Sequence, residues 1–187
     1  DGYMDVLISG SNASYISVSN LYYNTSGSGF ALYAGTPIEG VNAGGVGFTD
    51  IDNDGFDELL ITGSAQAGGR RAKLYKNTTG FFTAITGTSF DGSFQGGAAV
   101  ADFDLNGTND VLTVGINELS QRTAVLYSND GSGGFSQVPS TPFDGAWRGA
   151  VAISDIENDL DKDVLIVGVN SLSEFIAKLY TNSGTGT

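Results

Sequence analysis

One acidic phrase returns four times along this chain, and it constrains the fold more than any other feature of the sequence. The complete copies read DIDNDGFDELLITG from Asp50, DFDLNGTNDVLTVG from Asp102 and DIENDLDKDVLIVG from Asp155. A shortened copy, DGYMDVLISG, begins at Asp1. The copies recur at a period of about 53 residues, which is typical of one supersecondary unit in a repeat protein. The period therefore predicts stacked units that bury their apolar faces against one another.

Each copy predicts four short strands. In the second unit an apolar stretch runs from Gly44 to Ile51, and the segments ELLITG, RRAKLYKN and FFTAITGTSF follow the acidic phrase. These segments are rich in β-branched and aromatic residues and are bounded by turn formers. No helical periodicity of useful length is present. We therefore expect an all-β chain that forms a single array, divided into a partial unit 1–43, complete units 44–96 and 97–149, and a partial unit 150–187.

Within the acidic phrases, oxygen-bearing side chains occupy alternate places before a tight turn. Calcium takes six to eight oxygen ligands at about 2.3–2.6 Å, which a short loop supplies only when it folds back sharply. Gly55 and Gly107 permit such a turn. The pattern predicts calcium as the cofactor, with backbone carbonyls contributed at Tyr3, Phe56 and Thr108. The predicted ligand residues are Asp50, Asp52, Asp54, Phe56 and Glu58; Asp102, Asp104, Asn106, Thr108 and Asp110; Asp155, Glu157, Asp159, Asp161 and Asp163; and Asp1, Tyr3 and Asp5.

Two of the four loops depart from the full pattern. Leu160 stands where the second and third units have their turn glycine, and a non-glycine residue pays for any positive φ at that place. Glu157 is one methylene longer than the Asp found at its place in the other loops. We expect the Asp155 loop to bind more weakly than the loops at Asp50 and Asp102. The phrase at Asp1 keeps only part of a ligand set, so we expect the missing ligands to lie upstream in a longer array.

Two other interpretations of the acidic phrases can be compared with the sequence. An EF-hand requires a bidentate Glu at the twelfth place, where this chain has Ile61, Thr113 and Ile166. The loops are therefore not EF-hands. Solvated acidic turns remain an alternative, since turns favour Asp, Asn and Gly in any case.

Composition narrows the chemistry further. The chain carries a formal net charge of −13, with eight Lys plus Arg against 21 Asp plus Glu, so a basic stripe for nucleic acid is missing. It has no cysteine and no histidine, which removes disulfides, thiolate nucleophiles and histidine-based catalytic triads. No apolar run in this segment is long enough to predict membrane insertion. Crowded carboxylates repel one another unless a cation neutralises them, which again favours calcium.

Two further signatures recur in register with the acidic loops. The third strand of each unit carries a hydrophobic-Tyr-x-Asn phrase, for which packing of a half-buried Tyr with a satisfied hydroxyl is the simplest interpretation. The units are joined by a second phrase, Phe-Asp-Gly followed by Gly-Gly-Ala or Arg-Gly-Ala. The Tyr phrases are Leu21–Asn24, Leu74–Asn77, Leu126–Asn129 and Leu179–Asn182, and the joining phrases begin at Phe90 and Phe143, with a weaker copy at Ile38.

Taken together, these residues resemble the FG-GAP repeat, also described as the VCBS repeat, of integrin α-subunit-like β-propellers. The resemblance covers essentially the whole chain. It implies a β-propeller of four-stranded antiparallel blades, of which this chain supplies about three and a half blades of a larger propeller. It also implies calcium in the hairpin between the first and second strands of a blade. The rest of the propeller, or a second copy, is then expected to cover the exposed strand edges.

The resemblance implies a function as well. We expect a non-enzymatic extracellular or cell-surface module for structural assembly or cell adhesion, with a protein or glycan partner. The partner should contact the face opposite the calcium loops, because the loop sequences diverge there. The candidate partner-binding residues are Tyr15, Arg70, Arg71, Trp147 and Arg148.

Three sequons fit an extracellular glycoprotein. Asn12, Asn24 and Asn77 each begin an Asn-x-Ser or Asn-x-Thr triplet, the acceptor pattern for N-glycosylation.

Two alternative functions stay open. A carbohydrate-binding propeller lectin would stack sugar rings on Trp147, Tyr15 or Tyr23, although a sugar site in every blade should repeat and the chain has a single Trp. The propeller domain of a polysaccharide-degrading enzyme would need a unique basic residue in a pocket, and nothing in the sequence marks one.

Overall fold

The computed structural model describes residues 2–35, 37–88 and 90–184. Asp1, one of the predicted calcium ligands, lies outside the described residues. Every regular element of the described residues is a β-strand, which confirms the all-β prediction. No helix in this part of the chain could cross a membrane.

The strands are short and follow one another without long connections. Their bounds are β1 Val6–Ser11, β2 Ser17–Asn24, β3 Phe30–Leu32, β4 Val41–Asn42, β5 Val46–Thr49, β6 Glu58–Ala65, β7 Arg70–Thr78, β8 Phe81–Ala84, β9 Phe94–Ala101, β10 Asp110–Ile116, β11 Arg122–Asn129, β12 Phe135–Gln137, β13 Trp147–Ser154, β14 Asp163–Val169 and β15 Phe175–Tyr180.

The strands form four antiparallel sheets in chain order. The second sheet pairs β4 and β5 with β6, then β6 with β7 and β7 with β8, while the third runs β9, β10, β11, β12. The first sheet contains β1 to β3 and the last contains β13 to β15. The first strands of neighbouring sheets adjoin, since β9 contacts both β5 and β13. This is the arrangement of successive propeller blades, which confirms the predicted fold class.

The hydrophobic core lies between the sheets. Leu59 and Ile61 of β6 pack in a cluster with Leu21 of the first sheet, whereas Leu60 packs in another with Val111 of the third. Successive residues of a strand point to opposite faces, so a sheet that is covered on both sides needs a continuous apolar run. A third cluster joins the last two sheets in the same way. Each blade is therefore stabilised by its neighbours.

The recurrent Tyr of each blade binds the joining phrase that leads into that blade. Its hydroxyl accepts a hydrogen bond from the backbone N–H of the acidic residue in the joining phrase, which confirms the predicted packing with a satisfied hydroxyl. The pairs are Glu39 to Tyr75 at 2.9 Å, Asp91 to Tyr127 at 2.8 Å and Asp144 to Tyr180 at 2.9 Å. In the last two blades the Phe of the phrase also meets the Tyr ring edge to face.

The glycines of the joining phrases are required by close backbone approach. A Cβ on the first glycine of each Gly-Gly or Gly-Ala pair would overlap a backbone carbonyl oxygen of the second strand of the blade. The overlapping pairs are Gly44 with Thr62, Gly96 with Val114 and Gly149 with Val167. The residue before each of these glycines has a positive φ, and the pairing of β9 and β13 with their second strands shifts register here. The phrase therefore forms a β-bulge in the innermost strand.

One predicted strand is too long. The segment FFTAITGTSF was expected to be extended throughout, but β8 ends at Ala84. Beyond the end of β8, Gly87 has a φ of 93°, so the segment does not continue as one extended strand. The unit boundaries stay a prediction, although β9 and β13 begin at Phe94 and Trp147, just before the boundaries expected at 97 and 150.

Candidate metal centres

The three complete acidic phrases form the hairpins between the first and second strands of their blades. They join β5 to β6, β9 to β10 and β13 to β14. The turn residues Gly55, Gly107 and Leu160 have φ values of 89°, 88° and 81°. Leu160 therefore adopts the left-handed conformation that the other two loops reserve for glycine, and its side chain is 77% exposed.

The first Asp of each loop holds the turn closed. Both oxygens of Asp50 accept backbone N–H groups, from Asp54 at 3.1 Å and from Gly55 at 2.9 Å. Asp102 and Asp155 do the same in their own loops. This carboxylate therefore positions the loop backbone before any ligand binds.

The last acid of each loop is a buried bridge. Glu58 is 0% exposed, and its two oxygens accept the N–H of Ile51 at 3.0 Å and of Asn77 at 3.2 Å. The same bridge recurs in the next two blades. Asp110 joins Phe103 and Asn129, and Asp163 joins Ile156 and Asn182. The Asn of the Tyr-x-Asn phrase therefore ties the third strand to the acidic loop.

The pKa shifts of the three bridging acids differ in direction. Desolvation raises the pKa of Glu58 and of Asp110 above their usual range. Backbone hydrogen bonds from Ile156 and Asn182 lower the pKa of Asp163. A buried carboxylate with a raised pKa is one whose charge is poorly compensated, which is the environment that a bound cation relieves.

Two loops bring their carboxylates together. Asp50, Asp52 and Glu58 each place an oxygen within 4.8 Å of the others, and Asp102, Asp104 and Asp110 do likewise. Within the described ranges, the Asp155 loop forms no group of this kind. The fifth-place side chains, Asp54 and Asn106, turn toward the loop backbone and accept the N–H of Phe56 and Thr108 at 2.9 and 2.8 Å.

The donor set fits a hard divalent cation. All the clustered atoms are carboxylate oxygens, the ligand type that calcium prefers. Asp52 also has a buried oxygen, Oδ1, without a hydrogen-bond partner in the structure. In the third loop Asp161 is buried, its Oδ1 likewise has no partner, and burial raises its pKa. These oxygens are available to a metal ion, whereas a set of solvated turns would leave them in water.

Lys76 enters the Asp50 loop, which the sequence analysis missed. Its ammonium contacts Asp52 Oδ2, lies 2.6 Å from Asp54 Oδ2 and lies 4.0 Å from Glu58 Oε1. Hydrogen bonds to Asp52 and Asp54 raise the pKa of Lys76, and the hydrogen bond from Lys76 lowers the pKa of Asp54. The sequence carried no signal for this contact, because Lys76 stands at the variable place of the Tyr-x-Asn phrase and no neighbouring residue points to the loop.

Amide side chains connect successive loops. Asn53 donates to the carbonyl of Gly107 at 3.0 Å, and Asn109 donates to the carbonyl of Asp50 at 2.8 Å. Asn129 donates to the carbonyl of Ile51 at 2.8 Å, across the same blade boundary. The Asp50 and Asp102 loops therefore form one rim, joined by hydrogen bonds across the blade boundary.

The predicted partner-binding residues all lie at the ends of strands away from the acidic loops. Tyr15 is exposed in the turn between β1 and β2, while Arg70 begins β7. Arg71 is half-buried and forms an ion pair with Glu39, with Nε 3.1 Å from Oε1. Trp147 begins β13 and lies 4.3 Å from the Arg148 guanidinium, measured to the ring centre. Their role in partner binding stays a prediction.

The predicted glycosylation sites differ in accessibility. Asn12 is exposed in the turn after β1. Asn24 and Asn77 are half-buried, and their side-chain amides donate to the carbonyls of Met4 at 3.3 Å and Asp57 at 2.9 Å. Glycosylation of all three stays a prediction.

Comparison with known proteins agrees with the geometry. The family model described as FG-GAP-like repeat matches residues 50–113 and again residues 102–166, so the matches run from one acidic loop into the next. No curated protein matches the chain. The two matches together span more than half of the sequence and contain both preassembled acid clusters. The chain therefore belongs to the FG-GAP-like repeat family.

Proposed function

We propose that this chain is a calcium-stabilised, non-enzymatic β-propeller module that acts outside the cell in structural assembly or adhesion. FG-GAP-like repeats form propeller-type interaction modules and occur in extracellular proteins, which supports the general role. The observation that carries calcium is the pair of acid clusters in adjacent blades, each with three carboxylates within 4.8 Å. An exposed acidic surface would not place a fully buried Glu or Asp in the same position of each hairpin.

The residues that would hold calcium also shape the fold. Asp50 and Asp102 organise the turns, Asp52 and Asp104 supply charge at the rim, and Glu58 and Asp110 connect the loop to the third strand. Calcium, when bound, supplies the positive charge that these carboxylates lack. Binding would therefore stabilise the blades.

Titration calorimetry of metal-stripped protein tests this proposal. Calcium should bind, and thermal unfolding in calcium should occur at a higher temperature than in chelator. Asp104→Asn should reduce the bound calcium, while Asp91→Asn, an exposed acid outside the loops, should leave it unchanged. Absence of binding at millimolar calcium, with the same melting temperature in chelator, would remove the calcium role.

The partner surface is proposed on the opposite face, around Trp147. Arg122 and Arg148 flank the indole, at 5.2 and 4.3 Å from guanidinium carbon to ring centre. Together with Phe175, which is 91% exposed, they line an open groove of about 510 Å³. Aromatic and Arg side chains are the residues that most often anchor protein partners.

An adhesion assay tests this surface. Cells or extracellular matrix should bind to immobilised protein, and Trp147→Ala with Arg148→Ala should weaken that binding while Asp91→Asn does not. Unchanged binding by the double variant would place the partner site elsewhere. Trp147-dependent binding to a glycan array would instead favour the carbohydrate-binding alternative.

A further inference from the structure

Lys76 occupies the position of a cation in the Asp50 loop. Its ammonium contacts Asp52 Oδ2 and lies 2.6 Å from Asp54 Oδ2. Calcium would need the same carboxylates at about 2.3–2.6 Å. One oxygen each of Asp50, Asp52 and Glu58 lies within 4.8 Å of the others, so the ammonium and a divalent ion cannot share this cluster without strong repulsion.

The next blade provides an internal comparison. The residue of β11 that corresponds to Lys76 is Ser128, and its neutral hydroxyl donates to Asp104 Oδ2 at 3.2 Å. The two loops share their local architecture. Each has a first Asp that closes the turn, a turn glycine with φ near 90°, and a buried acid that bridges two backbone N–H groups. The Asp50 loop has Asp54 and Glu58 where the other loop has Asn106 and Asp110, and Lys76 is the positive charge that only the Asp50 loop receives from its third strand.

We propose that Lys76 is a resident counter-cation that makes the Asp50 loop a conditional metal site, which calcium enters only by displacing the ammonium. This inference rests on the proposed calcium function and deepens it. The Asp102 loop, which has Ser128 in that place, binds first. The Asp50 loop keeps Lys76 as its counter-cation at low calcium and fills at higher calcium.

The ammonium also protects the loop when metal is absent. Three carboxylates of the Asp50 loop lie within 4.0 Å of Lys76 Nζ, while the Asp102 loop relies on neutral donors. Removing Lys76 should therefore weaken the metal-free protein and strengthen calcium binding, two effects of opposite sign from one substitution. A substitution that only removed packing would weaken the metal-free protein without strengthening calcium binding.

The size of the effect follows from the two close ion pairs. Calcium must break two exposed ion pairs, each of which contributes only a small free energy. Their combined contribution should raise the calcium concentration at half-saturation by about tenfold. Lys76→Ser copies the neighbouring blade, and Ser128→Lys transfers the counter-cation to the Asp102 loop. Lys76→Arg keeps the charge and serves as the matched control.

Nuclear magnetic resonance resolves the two loops separately. The amide N–H groups of Gly55 and Gly107 each donate to the first Asp of their own loop, so their resonances report local calcium binding. In a calcium titration of ¹⁵N-labelled protein, Gly107 should respond before Gly55. Lys76→Ser should lower the Gly55 midpoint about tenfold, and Ser128→Lys should raise the Gly107 midpoint by a similar factor.

Three outcomes are informative. Opposite shifts in the two variants, with Lys76→Arg close to wild type, support the proposal. A Gly55 midpoint unchanged by Lys76→Ser, while Gly107 still titrates, overturns the role of Lys76 and leaves the calcium function intact. If neither glycine responds in any variant, the calcium function fails and the inference fails with it. Should Lys76→Ser not fold, Ser128→Lys decides the question, because it adds a charge at a rim position.

Discussion

A substitution at Asp110 can distinguish the structural role of the buried acid from its role in metal binding. Its side chain is 1% exposed, and its oxygens accept the N–H groups of Phe103 at 3.0 Å and Asn129 at 2.9 Å. Asn at this place has one carbonyl oxygen, so one of the two backbone N–H groups faces an NH₂ donor. Leaving a buried donor unpaired costs about 1–3 kcal/mol. A loss of about 2 kcal/mol in the free energy of unfolding corresponds to a shift of about 4–8 °C for a chain of this size. We therefore expect Asp110→Asn to melt about 4–8 °C below wild type in chelator.

Asp104→Asn is the matched control. Asp104 belongs to the same cluster but lies at the rim, where it accepts from Asn106 at 3.1 Å and from Ser128 at 3.2 Å. The amide keeps one acceptor and removes a charge from the crowded cluster. In chelator this variant should melt within about 2 °C of wild type, since surface substitutions usually change stability by about 0.5 kcal/mol or less.

Calcium should separate the variants from wild type in a second way. Both Asp110→Asn and Asp104→Asn remove a carboxylate from the cluster, so both should lose part of the stabilisation by calcium. The assay is differential scanning calorimetry in chelator and in millimolar calcium. If Asp110→Asn melted with wild type in chelator, the bridging role assigned to the buried acid would be wrong.

Three further predictions concern other parts of the rim and core. Burial raises the pKa of Glu58 and Asp110 in the folded protein, so the folded chain binds protons at these residues more readily than the unfolded chain. In chelator, their contribution to stability should therefore grow as the pH falls from 7 toward their folded pKa values. The difference in melting temperature between wild type and Asp110→Asn should widen over the same range. Leu160→Gly should raise the melting temperature slightly. The substitution relieves the strain of a φ of 81°, which costs a non-glycine residue about 1–2 kcal/mol. Part of this gain is offset because glycine has more conformational entropy in the unfolded chain. Tyr127→Phe should lower the free energy of unfolding by about 1–3 kcal/mol, measured by urea denaturation, because the N–H of Asp91 loses its acceptor; an unchanged midpoint would contradict the fastening role of the hydroxyl.

The fold was predictable from the sequence because its signals are local and repeated. Alternating oxygen side chains, a turn glycine and an apolar strand all lie within one hairpin, and the period showed that the hairpin recurs. The Tyr-x-Asn phrase was correctly assigned to packing. The end of β8 was misjudged because Ile85 and Thr86 favour strands, whereas β8 ends before them at Ala84 and Gly87 beyond them has a positive φ.

The contacts between blades were not predictable in the same way. Lys76 lies in a third strand, and nothing in its immediate sequence indicates that its ammonium reaches the acidic loop. Asn53 and Asn109 bond across a blade boundary, and no sequence pattern marked them for that role. Arg71 was expected to face a partner, and the structure pairs it with Glu39. Each of these depends on which side chains the stacking of sheets brings together.

The central claim is that the acidic hairpins of adjacent blades are metal centres, and anomalous diffraction tests it most directly. Crystals grown with a lanthanide in place of calcium should show an anomalous peak among Asp102, Asp104 and Asp110. A second, weaker peak should lie among Asp50, Asp52 and Glu58, with Lys76 displaced. Lanthanide peaks elsewhere in the crystal, with both clusters free of density, would contradict the account.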